Sequence, residues 1–236
     1  MNTLKTIWLF THILLGAVLV AMSSCKKDEE DKAVKDIDGN IYETVIIGNQ
    51  EWFAGNLRTT NYNDGTPIPN ITDSIEWNYL ASGAYAWYNN DAATYKDAYG
   101  ALYNWYAVET GKLCPKGWRV PSHADWTTLT DYTGGISVAG GKLKSTRTEP
   151  DTQPRWDSPN TAATDKYGFS LLPNGRRSSS GGSFLSVGTH SYHWSSTEEG
   201  SFHNAWYWLF YYDKEFAGRY YVHKKFGFAV RCLRDI

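Results

Sequence analysis

Hydrophobic and polar positions divide the chain into three stretches of different character. After Lys5 an apolar run extends from Ile7 to Met22, interrupted by Thr11 and His12. At 16 residues it is shorter than the roughly 20 that a membrane-spanning helix requires, and a charged start followed by such a region has the form of a secretory leader. Lys26 to Lys32 contains no apolar residue; it cannot bury a core and reads as a solvated tether. From Asp36 onward the sequence is continuously globular. The expected organisation is a leader over residues 1–24, a tether over 25–35 and a domain over 36–236.

Within the domain, Ile37 to Trp52 reads as two strands around a turn at Gly48-Asn49, with the β-formers Tyr42, Val45 and Ile47. Asn63 to Asn70 has loop chemistry. A helix is expected from Tyr99 to Val108, where Ala101, Trp105 and Val108 recur at spacings of four and three, with Gly111 as its stop. A second is expected from Pro121 to Leu129. Ser122 is its N-cap, Asp125 completes a capping-box-like pair, Trp126 and Leu129 point inward, and Gly134-Gly135 ends it. Beyond Lys144 the pattern turns to short β-rich runs: Phe169–Leu172, Tyr192–Ser195, Ala205–Tyr212, Arg219–His223 and Phe226–Leu233. Strands, then helices, then a β-rich half predict an α+β domain.

Composition narrows the function classes. The 236 residues carry 23 Lys+Arg and 25 Asp+Glu, a net charge of −2, which gives no electrostatic footprint for nucleic acid. Eleven Trp and 17 Tyr make the chain too ring-rich to be disordered and suit a loop-heavy extracellular domain or binding surface. Three cysteines are too few for a disulfide scaffold and lack zinc-ligand spacing.

Several motifs resemble known families. Met22-Ser23-Ser24-Cys25 resembles the lipobox of bacterial lipoproteins, which implies a lipid on the Cys25 sulfur and cleavage before it. Lysines followed by acidic residues behind Cys25 look like the surface-export signal of Bacteroidetes lipoproteins. The resemblance implies an outer-membrane protein, anchored by its lipid and displayed on the cell surface. Asn56 to Pro69, Tyr99 to Val108, Cys114 to Pro121, Trp194 to Glu198 and Gly227 to Cys232 together resemble the Fibrobacter succinogenes major paralogous domain, from about Asp36 to Asp235. That domain is similar in kind to the C-type-lectin-like and sulfatase-modifying-enzyme folds. The resemblance implies two helices packed on a small twisted mixed or antiparallel sheet with long loops, and no settled activity. Lys144 to Trp156 departs from the family pattern by being longer than the short linker usual there.

Candidate chemistry is sparse. Cys114 and Cys232 are the cysteines left once Cys25 is lipidated, and an exported chain oxidises such a pair to a disulfide; a catalytic redox pair, as in the formylglycine-generating relatives of the fold, is the alternative. Glu149-Pro150-Asp151 resembles the triplets of calcium-dependent lectins. It makes Glu149 and Asp151, with Asp157 or Asn160, candidate ligands for Ca²⁺, which takes six to eight oxygens.

The densest aromatic run is His203 to Tyr212. Neighbours in a strand alternate faces, so Trp206, Trp208 and Phe210 are expected in the core. Tyr207, Tyr211, Tyr212, Arg219 and Tyr221 are then expected on a face that recognises a glycan or a protein partner, since flat rings stack at low entropic cost. A structural envelope protein with all its rings in the core is the alternative. A polysaccharide hydrolase using Glu198 or Glu199 is another, but no catalytic constellation is present, and an enzyme is not expected.

Overall fold

The computed structural model describes residues 33–236; the leader, Cys25 and the tether up to Lys32 lie outside them. In chain order the elements are β1 (Val34–Lys35), β2 (Ile41–Tyr42), β3 (Thr44–Ile47), β4 (Gln50–Phe53), α1 (Ser74–Tyr79), β5 (Tyr85–Ala86), α2 (Ala92–Tyr99), β6 (Leu102–Tyr103), α3 (Trp105–Glu109), α4 (His123–Tyr132) and α5 (Ile136–Leu143). A β-rich half follows, with β7 (Asn174–Arg177), β8 (Phe184–Val187), β9 (His190–Glu198), β10 (Asn204–Tyr211), β11 (Ala217–His223) and β12 (Leu233–Asp235). The architecture is α+β.

Gly48-Asn49 closes the β3–β4 hairpin, whose register sets Ile47 opposite Gln50. Gly48 takes φ 65°, the left-handed conformation that so short a turn needs. β12 pairs with the other edge of β4, so the last strand closes on the β3–β4 hairpin. Cys114 and Cys232 reinforce that closure through a disulfide, with their Cα atoms 5.8 Å apart.

The helix expected over Tyr99–Val108 is three things instead: the last residue of α2, strand β6, and α3. Gly100 breaks it with φ 73°, and a Cβ there would lie 2.7 Å from both Asn56 Cβ and Leu57 O. Ala101 N–H donates to Leu57 O, and Tyr103 exchanges backbone bonds with Phe228. Asn104 then caps α3 by accepting from Ala107 N–H. Ala101, Trp105 and Val108 are all buried, because the whole segment is enclosed rather than because one helical stripe faces inward.

The second expected helix forms as α4. Ser122 and Asp125 make the reciprocal capping box, Trp126 and Leu129 are fully buried, and Gly134 and Gly135 leave helical geometry at φ 105° and 99°. α5 follows at once. Its Gly140 and Gly141 would each place a Cβ within 2.7 Å of a carbonyl, Phe216 O and Ala162 O respectively, so a tight approach is what puts poor helix formers in mid-helix.

Five strands form the main sheet in the order β11-β10-β9-β7-β8. All pairs are antiparallel except β7 with β9. The strand expected over Phe226–Leu233 is not continuous. Gly227, Phe228 and Ala229 bridge in turn to Arg177, Tyr103 and His193, three different partners, and only Leu233 enters a ladder, as the first residue of β12. Phe169–Leu172 likewise reduces to one bridge, Leu171 with Lys144.

One face of the main sheet packs on α4 and α5 around Trp52, Trp126, Trp156, Phe169, Trp208 and Phe210. Long connections are held by buried cations that donate to carbonyls. Lys144 Nζ donates to Thr161 O, Tyr211 O and Lys214 O, and burial pushes its ammonium down to about 8. Arg231 donates to Asn56 Oδ1 and to the carbonyls of Phe53, Phe169 and Ser170. Arg177 holds Gly182, Ile71, Thr72 and Asp73 in the same way. A buried charge is costly unless its donors are satisfied, and these carbonyl sets satisfy them.

Candidate functional site

Strand alternation gives the β9–β10–β11 ribbon two aromatic faces. Toward α4 stand Trp208 and Phe210, both fully buried, opposite Arg219 and Ala217 of β11 and His193 and Ser191 of β9. The other face carries Tyr192 and Trp194 of β9, Tyr207, Leu209 and Tyr211 of β10, and Tyr220 of β11. Phe228 covers the middle of this second face. Its ring centroid lies 4.4 Å from Trp194, 4.8 Å from Tyr207 and 5.0 Å from Tyr192. Tyr207 and Tyr211 remain half-buried at the surface, and Tyr220 is 42% exposed.

Those three tyrosines are the centre of the candidate site. Tyr207 and Tyr220 have centroids 5.9 Å apart, and Tyr211 Oη donates to Tyr220 Oη at 3.1 Å. His190 meets the edge of Tyr211 at 5.2 Å. Arg176 of β7 lies over the Tyr192 ring at 5.3 Å and over Phe226 at 5.5 Å, and its Nε has no hydrogen-bond partner among the described residues. Burial pushes the Tyr207 phenol up to about 12. Burial, followed by the bond to Tyr220, raises Tyr211 as well. Burial lowers His190; the Asp213 carboxylate opposes this and the Arg176 charge adds to it. At neutral pH the face therefore offers neutral hydroxyls, a neutral imidazole and one permanent cation on a floor of rings. Such a surface has the chemistry to stack on C–H faces and to exchange hydrogen bonds at its edges.

The expected site residues do not all meet here. Tyr207 and Tyr211 do. Arg219 and Tyr221 are on the opposite face, because the register pairs them with Trp208 and Trp206; Tyr221 packs edge-on against Trp206 at 5.5 Å. Tyr212 lies beyond the end of β10 and packs on the main core. Trp206, expected in that core, is half-buried at its rim beside His123, 4.7 Å between centroids. Tyr220, Arg176, His190 and Phe226 are the residues that sequence reasoning missed. Tyr220 follows once the β10–β11 register is known, whereas nothing local marks Arg176.

The expected calcium ligands are not assembled. Glu149 Oε1 accepts from Arg155 at 2.8 Å, and Asp151 Oδ2 accepts from the Thr148 N–H at 3.3 Å. Asp157 instead lies against Gly188. Among the described residues no three His, Cys, Asp or Glu side chains group around a common point. Glu198 is paired with the buried Lys224, which also reaches Glu109 at 3.5 Å. Ser191 Oγ donates to Asn174 Oδ1 at 2.8 Å and stands 2.7 Å from His193 Nε2. All three are fully buried, so no substrate reaches that hydroxyl.

Comparison with known families gives one match: the model of the Fibrobacter succinogenes major domain covers residues 45–234. No curated protein and no solved structure matches the chain.

Proposed function

Given that the chain belongs to the Fibrobacter succinogenes major domain family, we propose that it is a lipid-anchored binding module of the outer membrane, displayed at the cell surface, whose tyrosine face takes a glycan chain. Cys25 carries the lipid in this reading, and the tether holds the domain off the membrane. The fold is read as C-type-lectin-like, supported by helices packed against one side of a five-stranded sheet, a second sheet that pairs β12 with β4, and long loops between them.

The observation that carries the binding reading is the half-exposed cluster of Tyr207, Tyr211 and Tyr220 on one sheet face, flanked by Arg176 and His190. Buried rings alone would describe a core. Rings whose hydroxyls and edges reach the surface suit a partner that is apolar on its faces and hydroxylated at its rim, as sugars are. Glycan recognition is favoured over a protein partner because the tyrosine hydroxyls and Arg176 supply hydrogen-bonding groups beside the half-buried rings of Phe216 and Phe226.

A polysaccharide array probed with the full chain in a non-glycosidic detergent tests the reading. Expected is binding to at least one neutral polysaccharide that Tyr207→Ala weakens about tenfold and a calcium chelator leaves unchanged. Silence across the array from a folded chain would overturn it. The anchor is tested separately: palmitate should label the wild-type chain and not Cys25→Ala.

A further inference from the structure

A cavity of about 270 Å³ lies between α2 and the turn that joins β8 to β9. It is smaller than the roughly 300–1,000 Å³ of sites for drug-sized ligands, so it has room for one ring and its substituents. Tyr95 and Tyr99 of α2, with ring centroids 6.0 Å apart, form part of its wall together with Ala98 and Val187. The wall is mostly apolar; besides Thr94 and the two tyrosines, two polar side chains interrupt it.

The first is Asp157. Its backbone N–H donates to Gly188 O at 2.8 Å, which fixes the residue at the cavity edge. A Cβ on Gly188 would sit 2.9 Å from both carboxylate oxygens, and Gly188 takes φ 84°. The close approach of this carboxylate therefore depends on glycine. Among the described residues no side chain or backbone N–H donates to either oxygen.

The second is Gln153. Its Oε1 accepts from Tyr99 Oη at 2.6 Å and from the Arg155 N–H at 3.0 Å. Since a backbone N–H can only donate, Oε1 is assigned as the acceptor and the amide Nε2 is left to donate. Gln153 and Pro154 both come from the lengthened segment Lys144–Trp156, the part that departs from the family pattern.

These groups select a ligand class. A purely apolar guest would strip water from the Asp157 carboxylate and return nothing. An anion meets that carboxylate. A cation would share the loop with the charges of Arg147 and Arg155. A compact frame with apolar faces and several hydroxyls satisfies both polar groups: hydroxyls donate to Asp157, and another accepts from Gln153. We infer that this cavity binds a single neutral sugar residue. The site is separate from the tyrosine face and shares with it only the class of ligand.

Saturation-transfer NMR and calorimetric titration of the full chain, in a non-glycosidic detergent, with glucose, galactose, mannose, xylose and N-acetylglucosamine test the inference. At least one of these sugars should bind, with its affinity reduced about tenfold or more in Asp157→Asn. Val187→Phe, which fills the cavity, should do the same, and Tyr221→Ala, on the opposite face of the sheet, should leave the affinity unchanged. No sugar bound by the wild type, or wild-type affinity retained in both cavity variants, overturns the inference. Polysaccharide binding that depends on Tyr207 without any monosaccharide binding would overturn the cavity site alone. Monosaccharide binding that depends on Asp157 in a chain deaf to polysaccharides would overturn the tyrosine-face reading alone.

Discussion

Tyr207 and Tyr220 face each other directly across β10 and β11, with 5.9 Å between ring centroids, and Tyr220 in turn accepts the hydroxyl of Tyr211. The three rings thus act as one unit. Their neighbours one residue away in β11, Arg219 and Tyr221, belong to the other side of the sheet.

The Tyr211–Tyr220 bond predicts a spectroscopic effect. Tyr220→Phe keeps the ring and removes the acceptor, so Tyr211 should ionise at lower pH, since that bond contributes to its raised value. Tyrosinate absorbance during an alkaline titration should show one phenol moving down toward the ordinary range. An unchanged titration would mean that the bond does not form.

The disulfide should carry measurable stability. It closes a loop of 118 residues, for which the chain-entropy model gives about 4–5 kcal/mol, with 2–5 kcal/mol typical on removal of a native bridge. Cys114→Ser with Cys232→Ser should lower the denaturant midpoint accordingly. Thiol labelling of the folded wild type that modifies Cys114 or Cys232 would contradict the bridge.

Lys144 predicts a pH dependence. Its ammonium titrates at about 8 in the folded chain against 10.5 ordinarily, with burial as the main cause. The unfolded chain therefore holds this proton at pH values where the folded chain has released it. Its charge disfavours folding below about pH 8, and stability rises as pH climbs from there toward 10. Lys144→Met strips the donor from three carbonyls and should lower the midpoint throughout. It should also flatten the slope between pH 7.5 and 9.5, which urea titrations at the two pH values would reveal.

The α4 cap is a local test of the fold. Ser122→Ala removes one half of the capping box and should cost about 1 kcal/mol. Asp125→Ala should cost more, because Asp125 also pairs with Arg119, which reaches Asp235 of β12 at 3.0 Å. Burial alone would raise the Asp125 carboxyl, but bonds from Arg119 and Ser122 hold it below the ordinary range. Its contribution is therefore present above about pH 4 and is lost as pH falls further. Equal midpoints for the two variants at neutral pH would contradict this arrangement.

Local chemistry made part of this structure legible in the sequence. Gly48-Asn49 announces its hairpin and Ser122-x-x-Asp125 its helix, because each signal acts within a few residues. The Tyr99–Val108 segment misled because its ring periodicity arises from enclosure by Leu57 and Phe228, which are remote in sequence. α5 was hidden by Gly140 and Gly141, which exist for close approach to Phe216 and Ala162. At the candidate site, alternation along β10 correctly separated Tyr207 and Tyr211 from Trp208 and Phe210. It could not supply the offset to β11, which is set by the connection from Tyr212 to Phe216. A slip of one residue there exchanged Tyr220 for Arg219 and Tyr221.

The most direct test of the tyrosine face is a side-by-side titration of one polysaccharide against the wild type, Tyr207→Ala, Tyr220→Ala and Tyr221→Ala. The face as described predicts affinity reduced about tenfold in the first two variants and unchanged in Tyr221→Ala. Equal loss in all three, or loss in Tyr221→Ala alone, would contradict it.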